Sequence, residues 1–173
     1  LRFGLPLMPG LAGSSPVEAM ASLRTALSLS PAFLRIYPTL VFEGTGLEQL
    51  WRSGGYTPLI LNDAVDLVAH QLVACRQAGI AVIRMGLQDN EGLAESVVAG
   101  PWHPAFGQLV RSRLWRWGLA KTIVPGAEVM VHPHDLSDAL GHRRENLLWL
   151  QQQYHVQKIR VDDTLQRDSF RVD

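Results

Sequence analysis

An α/β fold with parallel strands is predicted for this 173-residue chain by two observations. Apolar strand-like runs alternate with stretches of helical periodicity through residue 87, in the order βαβαβ, which argues for parallel pairing through right-handed crossovers. The runs also end in turns rich in Gly and Pro, the residues that stop a strand and redirect the chain.

The first strand runs from Phe3 to Met8 and ends in Met8-Pro9-Gly10, followed by Leu11-Ala12-Gly13 and then Ser14, Ser15 and Pro16. The sequence opens without a Met and already inside an apolar strand, so it is expected to start mid-fold. Ser15-Pro16 is a helix start, with Pro well suited to the first helical position. Val17, Met20, Ala21, Leu23 and Leu27 then recur at helical spacing through Leu29. Such a Gly-rich turn exposes backbone N–H groups, which suits a ligand bearing carboxylate or hydroxyl groups.

A second strand is expected over Phe33 to Val41, interrupted by Pro38 where the chain should leave the sheet. Glu43 to Tyr56 reads as a loop holding a short helix at Leu47 to Arg52. Asn62 or Asp63 can cap a helix that runs through Ala78, with Gly79 in the position of a left-handed C-terminal cap. Ile80 to Leu87 is a third strand. Beyond it come a loop over Asp89 to Pro101, a helix over His103 to Lys121, a short strand at Ala127 to Val131, and a helical stretch from Asp135 to Tyr154 broken near Gly141. Val156 to Val161 and Ser169 to Val172 close the chain as strands. Two parts are expected, 1–90 and 91–173, the second a small α/β lobe.

Composition fits an ordinary globular chain: 47% hydrophobic, 18% charged, with a formal net charge of zero. No global field points to nucleic acid or a membrane. No apolar run approaches the ~20 residues a bilayer span needs, and the start lacks the layout of a signal peptide. The single Cys, with no intrachain disulfide open to it, fits a reducing compartment and makes the cytoplasm the expected location.

Two segments carry a family resemblance. PLMPGLAGSS is similar to the loop after the fifth barrel strand of radical S-adenosylmethionine (radical SAM) enzymes, in the subset with the Elongator catalytic subunit and the oxygen-independent coproporphyrinogen oxidases. RIYPTLVFEGTGLEQLWRSGGY resembles the sixth strand and following loop of that subset, including Tyr37, Pro38, Thr39, Gly44, Thr45, Leu50 and Trp51. IAVIRMGLQ, GPWHPAFGQLVRSRLW and SDALGHRRENLLWL further resemble a C-terminal extension of bacterial relatives. Pro6, Ala12 and Ser15 depart from the pattern, standing where Gln, Pro and Thr are usual.

The resemblance implies the C-terminal part of a partial βα (TIM-like) barrel with parallel strands, followed by the small lobe. It implies an iron-sulfur oxidoreductase that, as a full-length protein, uses a four-iron four-sulfur cluster to cleave S-adenosylmethionine to a 5′-deoxyadenosyl radical. The family holds that cluster with CxxxCxxC. Cys75 alone cannot supply such a site, so the chain is expected to be an inert fragment that does not itself ligate the cluster. By the same resemblance Met8, Pro9, Gly10 and Leu11 line the cofactor's adenosyl portion, and Tyr37 belongs to the loop that closes the site. The substrate is a small molecule or tRNA, and an exposed first strand would make the fragment self-associate.

Strand alternation adds three contact candidates. Arg35 and Tyr37 share one face of their strand and Leu34 and Ile36 the other; Arg84, Gly86 and Gln88 likewise oppose Ile83, Met85 and Leu87. With the apolar set against the helices, Arg35, Tyr37, Arg84 and Gln88 face a barrel lumen near its C-terminal mouth, where barrel active sites lie. A guanidinium there could hold a substrate or cofactor carboxylate; the plainer account pairs Arg35 and Arg84 with acids such as Glu43.

Other constellations have plain readings. His132, His134 and His142, with Asp135 or Asp138, have loose metal-like spacing but read better as a loop and cap. RSRLWRWGLAK could stack on RNA bases, and an amphipathic helix burying two tryptophans looks the same. Cys75, mid-helix, reads as a small buried hydrophobe. The alternative from another class is a non-catalytic α/β module binding an acidic metabolite or a protein partner; a paralogue that has lost its cysteines is a third.

Overall fold

The computed structural model describes residues 2–87 and 92–173. The chain forms two compact units, Leu1–Gly107 and Gln108–Asp173. The first is built on a three-stranded sheet in the order β1-β2-β4, all parallel. Its strands are β1 (Gly4–Leu7), β2 (Phe33–Ile36) and β4 (Ala81–Met85); α1 (Pro16–Ser28) and α3 (Leu61–Gln77) are the crossover helices. Leu5, Leu34 and Val82 are register partners across the three strands. They meet Leu23 and Ala26 of α1 and Cys75 of α3 in one apolar cluster, in which Leu23, Leu34 and Cys75 are fully buried. The alternation expected of β2 is thereby realised, with Leu34 and Ile36 buried and Arg35 exposed.

Local chemistry sets the helix ends. Ser15 caps α1 through a reciprocal pair: its Oγ accepts from the Glu18 N–H at 3.3 Å and its own N–H donates to Glu18 Oε2 at 2.7 Å. The cap of α3 differs from the sequence reading. Its N-cap is Ile60, without a side-chain bond, and Asn62 and Asp63 fall inside the first turn, where an acidic group still faces the positive end of the helix. At the other end Gly79 takes φ +69°, and the N–H groups of Gly79 and Ile80 donate to Arg76 and Cys75 carbonyls at 3.1 and 3.0 Å.

Pro38 ends the expected second strand early. The chain resumes as β3 (Val41–Phe42), which pairs antiparallel with β5 (Val97–Ala99), a strand inside a segment the sequence reads as loop. Between β3 and α3, α2 (Gly46–Arg52) is capped by Thr45. Glu48, almost buried, accepts from the Gly44 N–H at 2.7 Å and from Arg52 Nε at 2.8 Å.

In the second unit, β6 (Val129–Val131) lies parallel to β7 (Ile159–Val161) and antiparallel to β8 (Phe170–Val172). Around this sheet are the greater part of α4 (Phe106–Leu119) and the whole of α5 (Leu136–Leu140) and α6 (Glu145–Tyr154). Trp115, Leu119, Val129, Val131 and Leu150 lie in its core. The break near Gly141 is real: Gly141 has φ +81°, and a Cβ there would sit 3.0 Å from the Asn146 nitrogen. Asn146, buried, donates from Nδ2 to the carbonyls of Ser112 at 2.9 Å and Ala139 at 3.2 Å, joining three helices.

The bonds from Arg52 and the Gly44 N–H hold the Glu48 carboxyl below its ordinary value of 4.5. The unfolded chain therefore takes up this proton first, so the stabilisation is complete above that value and is lost as pH falls through the lower folded one. Acid unfolding followed by circular dichroism should show Glu48→Gln weakening the pH dependence below about 4.5, with the wild-type advantage shrinking as pH drops.

Candidate functional site at the carboxyl ends of the parallel strands

Ligands of parallel α/β sheets bind outside the carboxyl ends of the strands, where backbone groups are left over by the ladder. In the first unit those ends are the Met8–Leu11 turn after β1, the Tyr37–Thr39 segment after β2, and Gly86 after β4. The first two are stitched together. The Tyr37 N–H donates to the Leu7 carbonyl at 2.8 Å and the Thr39 N–H to the Pro9 carbonyl at 2.9 Å, extending β1–β2 contact past the strands. Gly10 sits at φ +88°, and a Cβ there would lie 2.9 Å from Leu59 Cδ1. Tyr56 completes the clamp: its hydroxyl donates to the Gly10 carbonyl at 2.7 Å. Burial pushes the Tyr56 phenol up, which keeps it a donor.

This turn holds its backbone fixed while presenting side chains outward. Pro9 is buried, whereas Met8 and Leu11 are 51% and 48% exposed. Tyr37 is half-buried one residue beyond β2. Gly86, at φ +76°, is packed against Phe106, whose Cβ would be 2.6 Å from any side chain added there. At Gly100 an added Cβ would lie 3.1 Å from the Thr39 carbonyl oxygen and 3.2 Å from Leu40. Thr39 Oγ1 and Trp102 Nε1 are buried in this region with no hydrogen-bond partner among the described residues.

Arg35 and Arg84 are both exposed and are register partners, side by side on the sheet face away from α1 and α3. Neither pairs with Glu43 or with any other described acid. The partnership comes from a β-bulge between Leu34 and Arg35 against Val82–Arg84, which leaves Ile83 unpaired. Ile83 is 54% exposed, so the expected grouping of Ile83 with Met85 against the helices does not hold: Val82 packs there, Ile83 turns outward beside it, and the extra residue at the bulge brings Arg84 to the outer side as well. Gln88, the third contact candidate, lies outside the described residues. Thr39 is among the motif residues of the sequence; Tyr56, Leu59 and Phe106 are not singled out there. Tyr56 and Phe106 sat within motif segments, and only their long-range contacts reveal a supporting role.

Elsewhere the side chains have structural duties. His132 Nδ1 accepts from the His134 N–H at 3.2 Å, capping a short 3₁₀ turn, with the two rings stacked at 5.2 Å. Among the described residues no three His, Cys, Asp or Glu converge as a metal site. On α4, Trp115 is buried against Phe170 at 5.9 Å between ring centroids, and Arg111 bonds Asp138 at 2.6 Å. Cys75 is buried, and burial pushes its thiol up to about 11. No described helix is long and apolar enough to cross a membrane.

Residues 31–116, which include β2, β4 and most of the packing around these turns, match the Radical_SAM C-terminal domain. The chain belongs to the radical SAM family. Its region of likeness to curated proteins includes a 45% identity over 65 residues with the tRNA uridine(34) acetyltransferase of Dehalococcoides mccartyi, covering 36% of this chain and 14% of that protein. The human Elongator complex protein 3 is 37% identical over 68 residues, 39% of this chain and 12% of that one. The chain thus spans only about a seventh of these relatives. Its α/β fold with a parallel sheet is also similar to that of the archaeal Methanocaldococcus infernus Elp3 with an N-terminal deletion, at a TM-score of 0.52, 24% identity, and coverage of 69% of this chain and 28% of that one.

Tyr56→Phe should destabilise the first unit by about 1 kcal/mol, the worth of one partly buried hydrogen bond, measured by urea unfolding. Native Cys75 should resist a thiol reagent at pH 8 and react fully once unfolded, since both burial and protonation oppose thiolate formation; rapid native labelling would contradict its placement in the α1–α3 core.

Proposed function

We propose that this chain is the C-terminal part of a radical SAM enzyme, and that the turn after β1 and the face carrying Arg35 and Arg84 are its share of the active site. The observation that carries the reading is the clamped Met8–Leu11 turn at the carboxyl end of a parallel strand, stitched to the Tyr37–Thr39 segment, inside a family whose members bind S-adenosylmethionine. Met8, Pro9, Gly10, Leu11 and Tyr37 are the proposed cofactor contacts. Arg35, Arg84 and Gln88 are the proposed substrate contacts. In this reading the sheet is one wall of a partial βα barrel, and the open face of β1, β2 and β4 is the barrel's interior.

The residues fit the two cofactors unequally. A four-iron four-sulfur cluster needs several thiolates, and the sequence has one Cys, buried at the α1–α3 core; this chain does not hold the cluster. S-Adenosylmethionine suits the turn better. The exposed Met8 and Leu11 side chains offer an apolar lip for a flat ring, and Gly10 lets the turn close against Leu59 at a φ other residues resist. When bound beside a reduced cluster, the cofactor supplies a 5′-deoxyadenosyl radical that abstracts hydrogen from substrate. This chain's part is to orient the adenosyl group through the fixed turn, exclude water with Met8 and Leu11, and hold the substrate with the arginines. A tRNA nucleoside is the proposed substrate, supported by the names of the relatives.

The test is the reading frame ahead of the Leu1 codon. A strand followed by CxxxCxxC is expected there; the longer protein, reconstituted anaerobically, should form 5′-deoxyadenosine from S-adenosylmethionine, and Gly10→Val should lower cofactor affinity at least tenfold. A start codon within a few residues would overturn the reading and favour a binding module. We further expect the 173-residue chain by itself to self-associate through the β1 edge, which has no strand partner among the described residues on its outer side; a monomer by analytical ultracentrifugation would argue against it.

A further inference from the structure

Arg35 and Arg84 are placed together by an irregularity, not by the pleat. In unbroken register from Leu34↔Val82, Arg35 would face Ile83, and Arg84 would pair with Ile36 and point into the helix layer. The bulge instead makes Arg35 and Arg84 direct partners, on strands about 4.8 Å apart. Bulges next to sites commonly re-aim a side chain in this way. Two like charges directly opposite on a sheet repel and are destabilising. Among the described residues no acid forms an ion pair with either, and the Arg35 guanidinium lies over the Phe33 ring, at 5.2 Å from its centroid.

Phe33 is itself positioned. Its ring lies across Gly4 on β1, where a Cβ would come within 2.1 Å of a ring atom. Gly4, Phe33 and Arg35 therefore form a stack that fixes one guanidinium, with the second beside it. A single carboxylate engaged by one guanidinium fork keeps only one lone pair on each of its two oxygens for the second. A phosphate, with more oxygens and a broader spread of negative charge, can accept from both.

From this geometry we infer that Arg35 and Arg84 form a phosphate-binding subsite for the substrate, with Phe33 as the positioning residue for Arg35. The inference rests on the reading of this face as the substrate side of a radical SAM site, and it assigns the pair to substrate, because S-adenosylmethionine carries no phosphate. The phosphate can belong to a phosphorylated small molecule, whose monoester presents three terminal oxygens, or to a nucleic-acid backbone, whose diester presents two non-bridging ones.

The probes are acetate, inorganic phosphate, uridine, uridine 5′-monophosphate and the dinucleotide uridylyl-uridine. Each is titrated at low salt into the 173-residue protein and followed by the Nε–H resonances of the arginines and by calorimetry. Inorganic phosphate should bind at least tenfold more tightly than acetate. One of the two nucleotides should bind at least tenfold more tightly than uridine, the monoester identifying a small-molecule source and the dinucleotide a backbone. Arg35→Gln and Arg84→Gln should each remove that preference with an unchanged circular dichroism spectrum. Arg84→Lys should restore part of it, because charge returns without the fork. Phe33→Leu should weaken phosphate without shifting the Arg84 resonance. Equal binding of acetate and phosphate, or a preference that survives both glutamine variants, would overturn the subsite. That failure alongside intact 5′-deoxyadenosine formation by the longer protein would leave the family reading standing. Phosphate binding without that chemistry would do the reverse.

Discussion

The first unit depends on the burial of one face of its parallel sheet. Leu5, Leu34 and Val82 form a row across β1, β2 and β4, and α1 and α3 close over it through Leu23, Ala26 and Cys75. Burying a side chain the size of Leu contributes on the order of 2 kcal/mol, and the row recurs one pleat on with Leu7, Ile36 and Met85. Register is therefore fixed by packing: a one-residue slip would drive Arg35 into the helices. With that face committed, the opposite one is left for polar side chains, and the strand ends become the place where turns can meet a ligand.

Much of this was legible in the sequence because it obeys local rules. The βαβαβ order, the Ser15-Pro16 helix start, the Gly79 cap and the buried-exposed alternation of β2 all follow from periodicity, capping and turn chemistry acting over a few residues. What escaped depends on distant partners. The β3–β5 pair joins segments more than fifty residues apart, in a stretch without the alternation of a longer strand. The bulge at Ile83 cannot be seen in β4 alone, since it is a property of the pairing with β2. Ile60 as the cap of α3 also ran against local chemistry, Asn62 and Asp63 being the better capping side chains.

The candidate site divides in the same way. Its turn was legible because Met8-Pro9-Gly10 follows an apolar run and the motif is a family one. Its supports were not: the Tyr56 hydroxyl reaches back 46 residues to the Gly10 carbonyl, and Phe106 fills the space left by Gly86. A contact of that span leaves no periodic trace in the sequence. As the ligand loop proposed above, a turn held at its own carbonyls would have less order to acquire on binding.

Pro6 shows how a departure from the family pattern can be read physically. The Leu7 carbonyl accepts from the Tyr37 N–H, so Leu7 and, two residues back, Leu5 address β2. In a strand the N–H and C=O of one residue point the same way and alternate along the chain, so Gly4 and Pro6 turn their backbone toward the outer edge. Proline at that position costs no bond to β2, which is why the parallel pair tolerates it, and it removes a donor from the open side. Any strand that lies against β1 must then do without a partner for one of its own carbonyls. The Pro6 carbonyl remains available, so the edge can still be paired, but more weakly than an edge with a full set of groups.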